Sequence, residues 1–553
     1  MKHSFLIGKP LTLEIVTAYP FGLQHDAFSI YPLWLHLAKC LSIIGNEVLA
    51  FNLVLFLNLL LSLIAMFSLS YYLTKDYFSS FISAIIYALC PYQFARIWQH
   101  FALTFTAGMP FYILCMIKLY SSGKVKDMFL CVLSFFLVIV FELHYAVFMF
   151  VTTAAFITYM LIFRRGPLKL NKLKVYLNAF FLTSVLSIVA ILPFLIKIFW
   201  TVKTAKPSAF SIVRPFEDLF AQSVHPLSYF LPSAVHPMFG KFTQQFVGTS
   251  LYGVSFTEHT LYLGWVPIIL AFVAFKRYRS KQLSAVSCQL SAEEKKYIGF
   301  FVCLAVVAWF FSQPPWWNIF GLKLYMPSFF MYKILPMFRA YCRFGIVVML
   351  AVSVLAGFGL KFILERFRSN KTKIAVAILA CGLVLFEFWN WPPYKVIDVS
   401  TFPSVYAWLK AQTDDIVIAE YPLDASSPNE LYKLYQTKHE KKIINGTIPG
   451  TYANKVAQKL VKLSSPDTVS MLKWMGVKYV LVHHKGYLKT GLAEDRDELF
   501  LIPRNPGLKH IGTFPLENCP NEKIMCIKDP GQIDVYEAVT DKAIDPRPLV
   551  DGS

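Results

Sequence analysis

Apolar runs close to the roughly 20 residues that cross a hydrocarbon core recur through the first two thirds of the chain, separated by short polar breaks. Ten are read: about Val48 to Thr74, Tyr77 to Phe94, Phe101 to Tyr120, Met128 to Phe141, Tyr145 to Phe163, Tyr176 to Phe199, Leu261 to Phe275, Tyr297 to Ser312, Gly345 to Leu364 and Ile374 to Trp389. The fourth and fifth flank only Glu142-Leu143-His144, which fits either two spans or a re-entrant pair of half-helices. From Thr401 the pattern changes. Pro403 to Gln412 and Glu430 to His439 read as helices, Asp415 to Glu420 and Lys478 to His483 as buried strands. Met525 to Lys528 and Gln532 to Glu537 alternate like partly exposed strands. The pattern predicts a polytopic α-helical membrane protein: a loop or interfacial segment over 1–47, a multi-spanning domain over 48–390, and a soluble α/β domain over 391–553.

Composition agrees. A chain of 553 residues that is 56% hydrophobic, with 51 Phe, holds more apolar side chain than one soluble core can hide. The net charge of +20 is confined to the apolar part: from Trp391 on, 20 Lys/Arg balance 20 Asp/Glu, leaving 33 against 13 before it. Such a distribution argues against a nucleic-acid partner and for topology signals, because basic short loops stay cytoplasmic. Lys118/Lys124/Lys126, Arg164/Arg165/Lys169/Lys172/Lys174, Lys276/Arg277/Arg279/Lys281 and Arg366/Arg368/Lys371/Lys373 fall in alternate loops. Residues 1–47, 200–260, 313–341 and everything after Trp391 are then expected outside the cytoplasm, in an inner-membrane protein. Met1 to Glu47 holds no secretory signal. Either a short polar N-terminus crosses unaided, or the natural chain begins with a further helix upstream; the second is the expectation.

Eight of the ten Cys lie in or beside apolar runs. Cys519 and Cys526 lie in soluble sequence and form a disulfide candidate, against the alternative of two free thiols. The last third has no Gly-rich phosphate loop, GxSxG or HExxH, so it reads as a lid or recognition module.

Charged side chains at the bilayer boundary are costly unless paired or hydrated, so their positions are informative. The expected outer ends carry Asp26, Arg96 and His100, Glu142 and His144, Glu258 and His259, and Lys333, Arg339 and Arg343. The inner ends carry mainly Lys and Arg. Carboxylate, imidazole and guanidinium groups gathered on one side suit a phosphate leaving group and a hydroxyl acceptor. Each also has a structural explanation. Arg339 and Arg343 can snorkel, Glu142 and His144 can sit at a solvated hairpin tip, and His100 can cap a helix. Glu258 and His259 can open a helix, Asp26 can belong to a turn, and His225 and His236 precede prolines in a loop. The asymmetry between the two ends is the stronger signal.

Several segments resemble the bacterial multi-spanning membrane proteins of the GT-C architecture, relatives of lipid-linked sugar transferases. The resemblance rests on Ala50-Phe-Asn-Leu53, Cys90-Pro-Tyr-Gln-Phe94 with His100 following, Glu258-His-Thr-Leu-Tyr-Leu-Gly264, Leu335-Pro-Met-Phe-Arg339 with Arg343, and Ala356-Gly-Phe-Gly359. In the soluble part it rests on Val405-Tyr-Ala-Trp-Leu409, Glu420-Tyr-Pro-Leu423, His439, Asn445-Gly446 and Gly476-Val-Lys-Tyr-Val480. It implies transfer of a sugar from a polyprenyl-phosphate donor in the membrane to a cell-envelope acceptor, with an acid of the first outer loop as base or as ligand of a divalent metal. Asp26 is the only Asp left in that loop, with Glu14 and Glu47 its other acids. The candidate catalytic groups are Asp26, Glu142 and His144; those for the lipid phosphate are His100, Glu258, His259, Arg339 and Arg343. A transporter of lipid-linked saccharides and a non-catalytic envelope assembly protein are the alternatives.

Overall fold

The computed structural model describes residues 13–14, 16–24, 33–163, 174–189, 192, 215–279, 290–390, 396–398, 402–412, 415–423, 427–447, 452–489, 493–514, 524–526 and 531–551. The chain divides into two compact units: Ile30–Pro193 with Ile212–Pro393, and Met1–Ser29 with Phe194–Ser211 and Tyr394–Ser553.

The first unit is helical. Its main elements are α1 (Glu47–Thr74), α2 (Tyr77–Ala88), α3 (Pro91–Gln99), α4 (Gly108–Ser122), α5 (Val125–Phe141), α6 (Leu143–Ile162), α7 (Trp265–Arg279), α8 (Ala292–Ser312), α9 (Gly345–Leu364) and α10 (Asn370–Glu387). Among the described residues, five segments are long and apolar enough to cross a membrane: Val48–Thr74, Tyr77–Gln99, Leu143–Ile162, Ala292–Ser312 and Tyr341–Leu364. The expected ten spans are therefore not confirmed. Most of the remaining apolar runs do form helices, but α4 and α7 have 15 residues and α5 has 17, short of a full crossing. Lys174–Val189 is also short, and α10 carries Lys371, Lys373 and Glu387 within its 18 residues. The Glu142-Leu143-His144 break separates two helices, because Glu142 is extended (φ −158°, ψ 111°) and caps α6 by accepting from the His144 N–H.

The helix α9 is the axis of this unit, buried along most of its length. Two glycines near its middle allow close crossing: a Cβ on Gly357 would lie 2.9 Å from Ser70 Oγ, and one on Gly359 would lie 1.8 Å from the Leu270 carbonyl oxygen. At its far end Lys361 Nζ donates to Glu294 Oε1 at 2.6 Å. That end also gathers Lys296 over Tyr297, Ser121 against Tyr297, and Lys75 and Lys118 over Tyr72. With a rise of about 1.5 Å per residue, the 20 residues of α9 separate this basic, aromatic end from the helix start by about 30 Å.

The second unit contains a five-stranded mixed sheet made of β1 (Val417–Tyr421), β2 (Lys442–Ile443), β3 (Val477–His483), β4 (Leu508–Phe514) and β5 (Ile533–Ala538), in the order β2-β1-β3-β5-β4. Pairing is parallel among β2, β1 and β3 and antiparallel from β3 through β5 to β4. Alternation sends Val417, Ala419 and Tyr421 into one core and Ile418 into another on the opposite face. Helices cover both faces, Ser404–Ala411 and Ser427–His439 on one and Pro466–Trp474 on the other. The strand expected to be partly exposed, Gln532 to Glu537, is instead a buried interior strand, since β3 and β4 flank it.

Asn445 explains one of the motifs: its side chain accepts from the Glu420 N–H at 2.8 Å and donates to the Glu420 carbonyl at 2.6 Å, continuing the ladder beyond β2. The buried Glu420 carboxylate accepts from Tyr406 Oη at 2.6 Å and meets His483 Nε2 at 2.8 Å. Residues 16–19 join this unit through main-chain bonds, Ile443 N to Val16 O at 2.8 Å and Ala18 N to Asn445 O at 2.8 Å. A helix, Leu33–Ile44, lies within the expected N-terminal interfacial segment. Asp26 and Cys519 lie outside the described residues; Cys526 belongs to the short strand Ile524–Cys526, which pairs with Val396–Asp398.

Candidate active site at the helix ends

Four breaks in the helical unit deliver charged groups to one place. Arg96 and His100 stand one helical turn apart at the end of α3, so both reach the same neighbour. Glu258 sits in the one-turn helix Phe256–His259, whose start is capped by Ser255 Oγ accepting from the Glu258 N–H at 3.2 Å. Two contacts hold that turn against α3: Trp98 packs edge-on to Phe256, and Thr257 Oγ1 donates to Gln99 Oε1 at 2.5 Å. Cys342 and Arg343 lie in the single 3-10 turn Tyr341–Phe344 before α9, and Glu142 and His144 at the α5–α6 break.

These groups converge on the Glu258 carboxylate. Arg343 Nη2 donates to Oε1 at 2.6 Å and its Nε to Oε2 at 3.2 Å. Arg96 Nη2 donates to Oε2 at 2.9 Å, and His100 Nε2 stands 3.4 Å from Oε1. Cys342 Sγ lies 3.3 Å from Oε2. The Arg96 guanidinium also rests on the Tyr92 ring, 4.5 Å from its centroid. Burial alone would push the Glu258 carboxyl upward, but the Arg96 and Arg343 charges overcome it and hold the group well below the usual carboxylate range. Glu258 is thus a fixed anion between two cations. It has no capacity left to take a proton at neutral pH.

The network continues outward to His144, whose Nε2 is 3.4 Å from Arg343 Nη1 and whose Nδ1 is 2.5 Å from Glu142 Oε1. Burial opposes the ionised form of Glu142, yet the adjoining His144 keeps its carboxyl below the usual range. Exposure sorts the cluster into two layers. The Arg96 side chain is 0% exposed and Glu258 7%, whereas His100 and His144 are 42% and 37% exposed. Among these groups the outer layer, His100 and His144 with the rims of Glu142 and Arg343, is the part exposed.

Of the residues proposed from sequence, five meet here: His100, Glu142, His144, Glu258 and Arg343. Two do not. Arg339 Nη1 pairs with Asp218 Oδ2 at 2.8 Å. His259 turns away from its neighbour Glu258, its ring edge-on to His225 with centroids 4.8 Å apart; burial, aided by the nearby His225, pushes it down to about 4, so it is a neutral packing histidine. Gly253, at φ +89°, makes room for that pair, since a Cβ there would lie 2.6 Å from the His259 ring. Arg96, named from sequence among the outer-end charges but not assigned a role, joins them, and Cys342 is the addition. Cys342 had no signal, because a thiol beside an apolar run reads as a small hydrophobe. No group of three or more His, Cys, Asp or Glu suited to a metal ion occurs among the described residues.

Neither a family model nor a curated protein matches the sequence. Solved structures do. The chain is similar over 96% of its length to the arabinofuranosyltransferase AftD from Mycobacteria, with a TM-score of 0.50 and 12% identity, and spans 38% of that chain. A looser likeness, TM-score 0.43 and 11% identity over 92% of this chain and 66% of the other, is to the oligosaccharyltransferase of Archaeoglobus fulgidus. The likeness to AftD and the apolar helices define the class: a multi-pass membrane protein with a GT-C-like fold.

Proposed function

We propose that this protein is a glycosyltransferase of the GT-C type, moving a sugar from a polyprenyl-phosphate donor to an extracytoplasmic acceptor of the cell envelope, in the inner membrane with its sheet domain outside. The observation that carries the reading is the two-layered cluster around Glu258, set about 30 Å along α9 from the basic end. Basic loops favour the cytoplasm, so that cluster belongs to the outer face.

In the transfer, the acceptor oxygen bonds to the sugar C1 as the bond from C1 to the phosphate oxygen breaks, and the polyprenyl phosphate leaves with that electron pair. The acceptor hydroxyl proton goes to a base. His144 suits that role in the tautomer in which its Nδ1–H donates to Glu142, because the Nε2 lone pair is then the accepting side, 3.4 Å from Arg343 Nη1 in this state and shared with an acceptor hydroxyl when one binds. Arg343 supplies charge to the leaving phosphate, and His100 a hydrogen bond. Arg96 and Glu258 are positioning residues that hold Arg343 in place. Asp26 remains a candidate base or metal ligand from the first loop, and Arg339 a candidate for phosphate contact through its partly exposed guanidinium.

Purified protein in lipid vesicles, supplied with a panel of polyprenyl-phosphate sugars and an envelope-glycan acceptor, is expected to release polyprenyl phosphate in step with acceptor glycosylation. Release from no donor in the panel would count against the reading.

A further inference from the structure

Between α8 and α9 the chain makes a two-stranded hairpin, Trp316–Ile319 with Leu322–Tyr325, that pairs with no other strand among the described residues. Residues 318–325 are all exposed. The turn itself is Phe320-Gly321, both with positive φ (48° and 83°). A two-residue turn of this kind favours Asn or Gly, and a bulky aromatic in the left-handed region is disfavoured. Here a phenylalanine occupies it with its whole side chain exposed, alongside exposed Ile319, Leu322, Leu324 and Tyr325.

The base of the hairpin is the opposite. Trp316 is enclosed by Phe216, Phe220 and Phe329, at ring distances of 4.9 to 6.2 Å, and Trp317 contacts Trp309 of α8 at 5.6 Å. The base is therefore rigid and adjoins the end of a helix long and apolar enough to cross the membrane, where Val306 and Phe310 are also exposed. The helix that follows, Pro327–Ile334, adds exposed Phe330 and Ile334. Two lysines flank the apolar tip, Lys323 over Trp316 at 4.6 Å and Lys333 over Phe329 at 4.5 Å. No Asp or Glu occurs between Trp316 and Leu364.

We propose that this hairpin is a lipid-inserting element: Phe320, Leu322 and Leu324 enter the acyl boundary of the bilayer next to α8, while Lys323 and Lys333 meet the phosphates of anionic lipids. An apolar tip continuous with an exposed apolar side of a helix long enough to span, with aromatic rings and cations at its base, no acid of its own, and the nearby Asp218 paired with Arg339, matches the chemistry of the membrane interface. The inference depends on the membrane character of the helical unit and not on glycosyl transfer, so either reading can fail alone.

The test replaces Phe320 with the photoreactive analogue p-benzoylphenylalanine in the full chain, reconstituted in nanodiscs of phosphatidylcholine with increasing phosphatidylglycerol. The same probe at Phe272, exposed on α7, reports lipid contact by a helix. Illumination is expected to give a lipid adduct at 320 whose yield rises with the anionic fraction, and K323E/K333E is expected to cut that yield several-fold. A cross-link to a second copy of the chain, or no lipid adduct at 320 while position 272 gives one, would overturn the proposal.

Discussion

Arg343 Nη2 lies 2.6 Å from Glu258 Oε1, a contact between the turn that starts α9 and the turn that precedes α7. Arg96 takes the other oxygen of the same carboxylate. A single anion thus ties together three parts of the chain that carry the candidate chemistry.

Removing that anion leaves two buried guanidiniums without their counter-charge. Breaking one side of a buried pair costs about 3–5 kcal/mol. Glu258→Gln is therefore expected to lower the melting temperature of the detergent-solubilised protein sharply. Glu258→Gln with Arg343→Gln is expected to be less destabilised than the sum of the two single variants. Additive losses in that double-mutant cycle would mean that the two groups do not interact.

Gly359 leaves no room for a side chain, because its Cβ would lie 1.8 Å from the Leu270 carbonyl. Backbone cannot step aside as a flexible side chain would, so Gly359→Ala is expected to push α7 and α9 apart at a cost of about 1–3 kcal/mol. Gly382→Ala in α10, where a Cβ meets nothing within 4 Å, serves as the control. Thermal unfolding of the two variants should separate them clearly, and equal melting temperatures would contradict the crossing geometry.

His259 is buried neutral, its proton affinity lowered to about 4 first by burial and then by His225. Its folded value lies below the unfolded value of about 6.5. The unfolded chain thus binds more protons between those values, and the stability this group contributes is full above about pH 6.5 and lost as pH falls toward 4. The slope in that window is at most about 1.4 kcal/mol per pH unit. His259→Asn, which keeps an acceptor for the Ser255 N–H, is expected to flatten the fall in melting temperature between about pH 7 and about pH 5. An unchanged slope would mean that His259 is accessible to protons in the folded protein.

The change from apolar helices to a C-terminal sheet region was legible because run length and a change of period report it directly. The strands β1 and β3 were legible for the same reason, being continuous apolar runs between turn signals. The hairpin at Trp316 was not, since two four-residue strands with little burial on either face leave no alternation to read. The number of spans is harder to read, because several apolar runs are long enough only when flanking loop residues are counted with them. At the site, chain position identified five members of the cluster, because acids and imidazoles are rare at helix ends facing lipid headgroups. Position could not tell Glu258 from His259. Adjacent residues in a one-turn helix point in different directions, and only the packing of Gly253 and His225 decides which one enters the cluster.

Whether the outer layer of the cluster performs glycosyl transfer is decided by the rate of polyprenyl-phosphate release in reconstituted vesicles by wild type, Glu142→Gln and His144→Ala. Both substitutions change groups at the outer layer, so the proteins should remain folded and monodisperse. General-base loss is worth about 10²- to 10⁴-fold. Turnover by His144→Ala is expected to fall by at least about 100-fold, and that by Glu142→Gln to fall less, with an altered pH–rate profile. Turnover by His144→Ala equal to wild type, from a protein that glycosylates its acceptor, would contradict the role assigned to this cluster.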